Sequence, residues 1–261
     1  MGKLPRPSPL WITFGLVTGL YALFLFAMLV ATAAYSSPAD LWHALSTREI
    51  RHSIQLSLVT CTVTSLLSVA LAVPAGYLLS RARFRGKNWL DAFLDVPIVL
   101  PPMVIGLCLL ILFQTGFGRF IEQAIPFTYT VAGVILAQFV IGAAFAIRTM
   151  RGTFDHLSPR PEEVAMTLGC SRAQAIWQVT LPLARKGIFA AASVAWARSL
   201  GEFGPILVFA GATRMRTEVL PTTVWLELSV GNLEAAVAVS LLMVGLAVAV
   251  LTAVRGAGET L

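Results

Sequence analysis

The sequence predicts an all-α integral membrane protein with about six transmembrane helices, and three observations carry that reading. Charged residues make up only 12% of the chain and apolar ones 57%. A soluble domain carries about a quarter charged residues, and so few could not cover the surface of a folded chain of this size. The charges that are present fall in short clusters between long blank stretches, each suited to a hydrocarbon slab of about 30 Å. Finally, Lys and Arg are shared unequally between alternate loops, which is the signature of a fixed orientation in a membrane.

The first candidate span is Leu10–Ala34, 25 residues without a charge. Lys3 and Arg6 precede it, and Ala31-Thr32-Ala33 resembles a signal-peptidase site. The run nevertheless exceeds the roughly 7–15 residues of a secretory h-region, so it reads as a retained helix. Gly15 and Gly19 within it have the spacing of a close helix-packing pair. Ser53–Leu79, Val96–Phe113, Thr128–Ile147 and Ala235–Val254 are further windows free of Asp, Glu, Lys and Arg. A charge at a helix centre costs about 2.5–3.5 kcal/mol on insertion scales, so such windows are informative. The third window is the shortest, and Pro97, Pro101 and Pro102 crowd its start. Each removes a backbone donor, so that end should be bent or packed against protein. The remaining span, Ile188–Ala212, is interrupted by Arg198 and Glu202.

Alternate loops carry thirteen and five Lys or Arg residues. The richer set includes Lys3, Arg81, Lys87, Arg148, Lys186 and Arg255; the poorer set is Arg48, Arg51, Arg119, Arg214 and Arg216. Both termini are therefore expected in the cytoplasm. With the positives flanking apolar segments, the net charge of +6 reports topology rather than nucleic-acid binding. Cys61 and Cys108 lie in apolar runs and Cys170 in a polar loop, without metal or redox spacing. His43, His52 and His156 are too separated to suggest a metal cluster.

One long cytoplasmic excursion, Arg148 to Lys186, carries helix punctuation of its own. Pro161 suits a first turn, and Glu162 and Glu163 place negative charge at a helix N-terminus. Val164 and Leu168 share a face, and Gly169 can end the helix in a left-handed conformation. Ser171 and Gln174 have capping-box spacing for a second helix, on which Ile176 and Val179 share a side before Pro182 closes the segment. Two short helices joined at Gly169 would form a knob beside the membrane, either resting on lipid or docking another protein.

Glu163-Val164-Ala165, then Gly169, then Val179-Thr180-Leu181-Pro182 resembles the EAA loop of ABC-importer permeases: Glu-Ala-Ala, three residues, Gly, nine residues, Ile, one residue, Leu-Pro. Val164 and Val179 are mild departures. The resemblance implies a coupling loop between helices 4 and 5, with Glu163, Ala165, Gly169, Val179, Leu181 and Pro182 fitting an ATPase subunit. It divides the chain into an N-terminal helix and external loop (residues 1–52), a permease core (53–254) with the coupling loop at 148–187, and a cytoplasmic tail (255–261). It also implies ABC ATPase subunits that carry ATP and Mg, a second permease subunit forming a homodimer, and an extracytoplasmic solute-binding protein. This chain would be a non-catalytic transport subunit of a prokaryotic inner membrane and bind no cofactor itself. It has no phosphate-binding loop, no H-E-x-x-H and no nucleophile elbow.

Val96-Pro97-Ile98-Val99-Leu100-Pro101-Pro102 and Arg198-Ser199-Leu200-Gly201-Glu202-Phe203-Gly204 resemble stretches of the molybdate- and sulfate-type permeases. Phe209-Ala210-Gly211 and Thr217-Glu218-Val219-Leu220-Pro221 extend that likeness, and Pro205 departs from it. The resemblance implies an oxyanion cargo, molybdate or tungstate first and sulfate or thiosulfate second, delivered by an oxyanion-binding protein. Arg198 and Glu202 are four apart and can pair along one helix face. Intramembrane ions of this kind either lock helices together or line a polar path, and both roles are open for this pair. An ion-coupled secondary transporter is the alternative class. It would be expected to show more membrane carboxylates and related halves, whereas Glu202 alone meets the first requirement.

Overall fold

A computed structural model describes residues 9–35 and 37–260, and among them every regular element is helical. Helix α1 (Pro9–Tyr35) leads through the short α2 (Pro38–Ser46) into α3 (Arg48–Arg81), the longest element at 34 residues. Then come α4 (Lys87–Val99), α5 (Pro102–Gln114), α6 (Gly116–Ala124) and α7 (Val131–His156). The loop helices are α8 (Arg160–Thr167), α9 (Arg172–Ala175), a π-helical turn at Ile176–Thr180, and α10 (Leu181–Leu183). α11 (Arg185–Leu200) is followed by a second π-helical segment (Ile206–Ala210), α12 (Leu220–Ser229) and α13 (Leu233–Thr260). Lys3 and Arg6 lie outside the described residues, as does the side chain of Arg255.

Among the described residues, four helices are long and apolar enough to cross a membrane unbroken: Leu10–Tyr35, Arg48–Arg81, Val131–His156 and Leu233–Val250. Here the structure departs from six continuous spans. The expected third span is split between α4 and α5, which meet at 111°. Pro101 and Pro102 supply no backbone donors, and Leu100, preceding a proline, is held extended (φ −66°, ψ 142°). The expected fifth span is also broken. α11 has 16 residues, about 24 Å at 1.5 Å per residue, and ends at Gly201. Pro205 has no N–H to offer the Gly201 carbonyl, so the helix restarts only where Leu207 N donates to Phe203 O (2.9 Å). The long loop is shorter than expected, because α7 continues to His156 and already includes Arg148 and Arg151.

α3, α7 and α11 form the centre of the bundle. Their shared interface is small and polar. Ser57, Thr60, Thr64, Ser65 and Ser68 of α3 are buried, beside Ala137 and Ala144 of α7 and Ala191 and Ala195 of α11. Gln138 is the central bond-maker: its Nε2 donates to the Ser199 carbonyl (3.2 Å) and its Oε1 accepts from the Thr64 hydroxyl (3.2 Å). Ser65 Oγ donates to the Ala192 carbonyl (2.7 Å). Between membrane helices, small residues permit close approach, and each such bond contributes about 0.6–2 kcal/mol. α5 and the segment after α11 also approach closely: a Cβ on Gly204 would lie 2.9 Å from Met103 N, and one on Gly106 2.8 Å from Pro205 Cα. α1 lies at the edge of the bundle, where it touches α13. Most of its apolar side chains are exposed, and both Gly15 and Gly19 face open space, so those two glycines pack no helix of this chain.

Candidate functional site

The loop after α7 is built as its local sequence requires. Pro161 sits in the first turn of α8, with Glu162 and Glu163 at its N-terminus. The helix ends at Gly169 with φ +97°. Gly169 N donates to Met166 O and Cys170 N to Ala165 O, both at 3.1 Å, which is the paired closure of a Schellman motif. The capping box is complete: Gln174 N donates to Ser171 Oγ (3.3 Å) and Ser171 N to Gln174 Oε1 (2.8 Å).

The knob has two unlike sides. Ala165 is buried, and Leu181 packs against the core formed by Ala72, Leu79, Ile147 and Met150. Glu163, Val164, Leu168, Trp177 and Pro182 are exposed, and Val179 is half-buried. A carboxylate that the spacing did not single out holds the inner side. Glu162 is 6% exposed; it accepts from the Tyr77 hydroxyl of α3 (2.5 Å) and the Thr180 hydroxyl (2.9 Å), with Arg172 Nε 3.9 Å away. Arg81 at the end of α3 donates to the Leu157 carbonyl (2.7 Å). The adjacent glutamates therefore divide: Glu162 anchors and Glu163 is presented.

In the broken fifth span, Arg198 Nη2 lies 3.6 Å from Glu202 Oε2. The Glu202 side chain is 2% exposed and that of Arg198 35%. The guanidinium stands 5.3 Å from the centre of the Phe145 ring, within the range of a cation–π contact. The pair thus forms, and Arg198 faces a side of the bundle that this chain leaves partly open.

Two polar sites were not singled out by the sequence. Near the loop, Arg151 of α7 pairs with Asp91 of α4 and, at 3.7 Å, with Asp155; they line a cleft of about 410 Å³ with Asp95 and Arg148. At the opposite end, Arg214 Nη2 donates to Glu227 (2.8 Å), whose other oxygen accepts from Asn232 Nδ2 (2.9 Å). Nearby Glu218 is fully buried and neither carboxylate oxygen has a hydrogen-bond partner. Burial pushes its carboxyl above the usual carboxylate range; the nearby Thr223 hydroxyl and Arg214 oppose that shift, and Glu227 and Glu49 add to it. Among the described residues no group of three or more His, Cys, Asp or Glu is placed to hold a metal ion.

Residues 68–257 match the model of the family described as the binding-protein-dependent transport system inner membrane component. The molybdenum transport system permease protein ModB of Mycobacterium tuberculosis is 35% identical over 253 residues, covering 96% of this chain and 95% of its own. The sulfate transport system permease protein CysT of Salmonella typhimurium is 32% identical over 215 residues, covering 81% and 78%. Among solved structures, a bacterial ABC transporter involved in the import of the acidic polysaccharide alginate superposes with a TM-score of 0.75, covering 96% of each chain at 16% identity; that likeness concerns the fold. The family match, the near full-length relatives and the multi-pass helical architecture agree: this chain belongs to the binding-protein-dependent transport system inner membrane components, as an ABC-importer permease.

Proposed function

We propose that the chain is the membrane subunit through which an ATP-driven importer passes molybdate or tungstate from an extracytoplasmic binding protein into the cytoplasm. The observation that carries the ATP-driven reading is the two-sided knob. Glu162, Tyr77 and Thr180 tie its inner side to the bundle, while Glu163, Val164 and Leu168 leave its outer side bare for a partner. The chain has no phosphate-binding loop in its sequence, so ATP and Mg belong on the partner ATPase. Glu163, Ala165, Gly169, Val179, Leu181 and Pro182 would shape the coupling contact. A second copy of the permease would face the partly open side that presents Arg198, and both termini would be cytoplasmic. Arg198 paired with Glu202 offers a dianion no net charge, which suits a path that must release what the binding protein captures.

The cargo assignment is supported by the near full-length likeness to a molybdenum permease. Sulfate is the second reading, favoured by the shorter likeness to a sulfate permease. The test is uptake of labelled molybdate, tungstate and sulfate into cells lacking their own importers, with the cognate binding protein and ATPase co-expressed. Molybdate or tungstate uptake that outcompetes sulfate and disappears with an inactive ATPase is expected. Preference for sulfate would overturn the cargo, and uptake that survives ATPase inactivation would overturn the mechanism.

A further inference from the structure

Between the spanning helix α3 and α5 the chain runs along the membrane rather than through it. α4 and α5 meet at 111°, close to a right angle. α5 carries no charge and is the half that enters the bilayer, so α4 lies near the membrane plane, its 13 residues covering about 20 Å. Leu90 and Leu94 pack against the core of Ala72, Leu79, Ile147 and Met150, which Leu157 and Leu181 of the loop also touch. Asp91 pairs with Arg151 of α7. These contacts fix the rotation of α4 about its axis and set it at the loop end of the bundle. That rotation turns Trp89 (83% exposed), Phe93 (71%) and Val96 outward, on one face at the i, i+4, i+7 spacing of an amphipathic helix.

The approach to this face is cationic and unpaired. Arg83 and Arg85 are exposed and Lys87 partly so. Among the described residues, none of their side chains has a hydrogen bond or an ion pair. Asp91 and Asp95 do not serve them, because both turn into the cleft with Arg151. Gly86, at φ +88°, closes a turn in which Lys87 N donates to Phe84 O (3.4 Å), and this keeps the cations together at the head of the helix. An aromatic apolar face bordered by Lys and Arg is the pattern of a helix seated in the lipid interface, where a Trp ring is at home. A second copy fits the patch less well. In a two-fold contact a patch meets itself, and here cations would face cations with no free carboxylate between them.

We propose that Arg83–Val96 is an interfacial anchor for anionic phospholipid of the loop-side leaflet: Arg83, Arg85 and Lys87 meet the headgroup phosphates, and Trp89, Phe93 and Val96 enter the acyl region. This goes beyond the transport reading and rests only on the chain spanning a membrane. Since Asp91 ties α4 to α7, the anchor would hold the bent start of the third span in place.

The test uses the full importer complex in mixed vesicles of phosphatidylcholine and phosphatidylglycerol, with Cys61, Cys108 and Cys170 replaced by alanine. A bimane is attached at Phe93→Cys, and separately at Phe24→Cys on α1, 65% exposed, as the bulk-lipid position. Quenching by acyl-brominated phosphatidylglycerol against acyl-brominated phosphatidylcholine gives the relative affinity for the anionic lipid at each site. The expected result is quenching at both positions, with a higher relative affinity for phosphatidylglycerol at 93. Arg85→Gln should lower that relative affinity about five-fold, the weight of one basic residue at an anionic surface. Arg83→Gln, Arg85→Gln and Lys87→Gln together should bring it to the value at 24. Equal relative affinities at 93 and 24 in the unsubstituted complex would overturn the proposal, as would a preference at 93 that the triple substitution leaves intact. A bimane at 93 that neither lipid quenches would also overturn it, by showing that a second copy or the ATPase covers α4.

Discussion

Replacing Gly169 by valine separates the shape of the knob from its chemistry. A Cβ at Gly169 would meet nothing within 4 Å, so no neighbour has to move and the cost is conformational alone. At φ +97° a non-glycine residue is strained by roughly 1–2 kcal/mol, and a β-branched one sits near the upper end of the 1–3 kcal/mol range for such backbone. The chain can escape by rotating φ, but it then gives up the Gly169 N–Met166 O and Cys170 N–Ala165 O bonds, about 0.5–1.5 kcal/mol each. Either route costs about 2–3 kcal/mol. If docking restores the native angle between α8 and α9, that cost falls on affinity, a loss of roughly 30- to 150-fold. Gly169→Ala should lose less, and Gly169→Asn least, because asparagine adopts positive φ most readily among side-chain-bearing residues.

The assay is titration of the purified ATPase onto permease in nanodiscs, followed by binding-protein-stimulated ATP hydrolysis, with membrane insertion checked for each variant. The ordering valine, alanine, asparagine is the diagnostic result. Valine binding within two-fold of wild type would refute the shape argument. An asparagine variant as impaired as valine would show that the bare surface matters rather than the backbone angle.

Glu162→Ala should release the loop from α3 by removing charge-assisted bonds of about 1.5–3 kcal/mol each, seen as faster hydrogen exchange over residues 160–183 while α3 stays protected; unchanged exchange would remove Glu162 as the anchor. Arg198→Ala should lower the thermal stability of the complex by about 1–3 kcal/mol, reduced from a fully buried pair by the exposure of Arg198, and Glu202→Gln should restore much of it; normal stability with altered anion preference would instead assign Arg198 to the path. Glu218 has a raised folded-state pKa through burial, so its destabilising charge is absent below the unfolded pKa and costs stability as pH rises through the folded pKa. Glu218→Gln should therefore melt like wild type at acid pH and about 1–3 kcal/mol more stably at alkaline pH, and an advantage confined to acid pH would contradict the burial argument. Reporters active only in the cytoplasm should signal after Lys87 and Lys186 but not after Arg51, Gln123 or Thr217, and signal after Thr217 would invert the last part of the topology.

What the sequence disclosed was mostly local. Pro161, Gly169, and Ser171 with Gln174 act within one turn, and each performs in the structure the role its spacing predicts. The Arg198–Glu202 pair was legible for the same reason, being four residues apart. The break in the fifth span was present in the letters Gly201 and Pro205 but was masked by the apolar run around them, since hydropathy sums over a window and backbone donors do not. Glu162 with Tyr77 and Arg151 with Asp91 are separated by 85 and 60 residues. No periodicity connects such partners, and Arg151 registered only as one more positive charge. The choice between Glu162 and Glu163 needed the direction of α8 relative to α3, which only the tertiary packing supplies.

On the proposed function, the two interruptions of regular helix explain how a push on the knob could reach the path. Glu162 fixes α8 to Tyr77 of α3 and to Thr180 in the π-helical turn, and Arg81 fixes the loop's start. The loop therefore cannot swing freely; a force on Glu163 or Leu168 is passed to α3 and, through α10, to α11. α11 is an uninterrupted lever of 16 residues that ends at the Gly201–Phe203 break beside Arg198 and Glu202. Bending a continuous helix there would sacrifice backbone bonds in a setting without water to replace them. With Pro205 the bond to Gly201 is already absent, so a change of angle at that point sacrifices less. Alternating access requires two packings close in free energy, and a lever with its weak point built in at the charged pair lowers the barrier between them. Pro205→Ala, by allowing α11 to continue, should slow transport without loosening the ATPase, an effect opposite in kind to that of Gly169→Val.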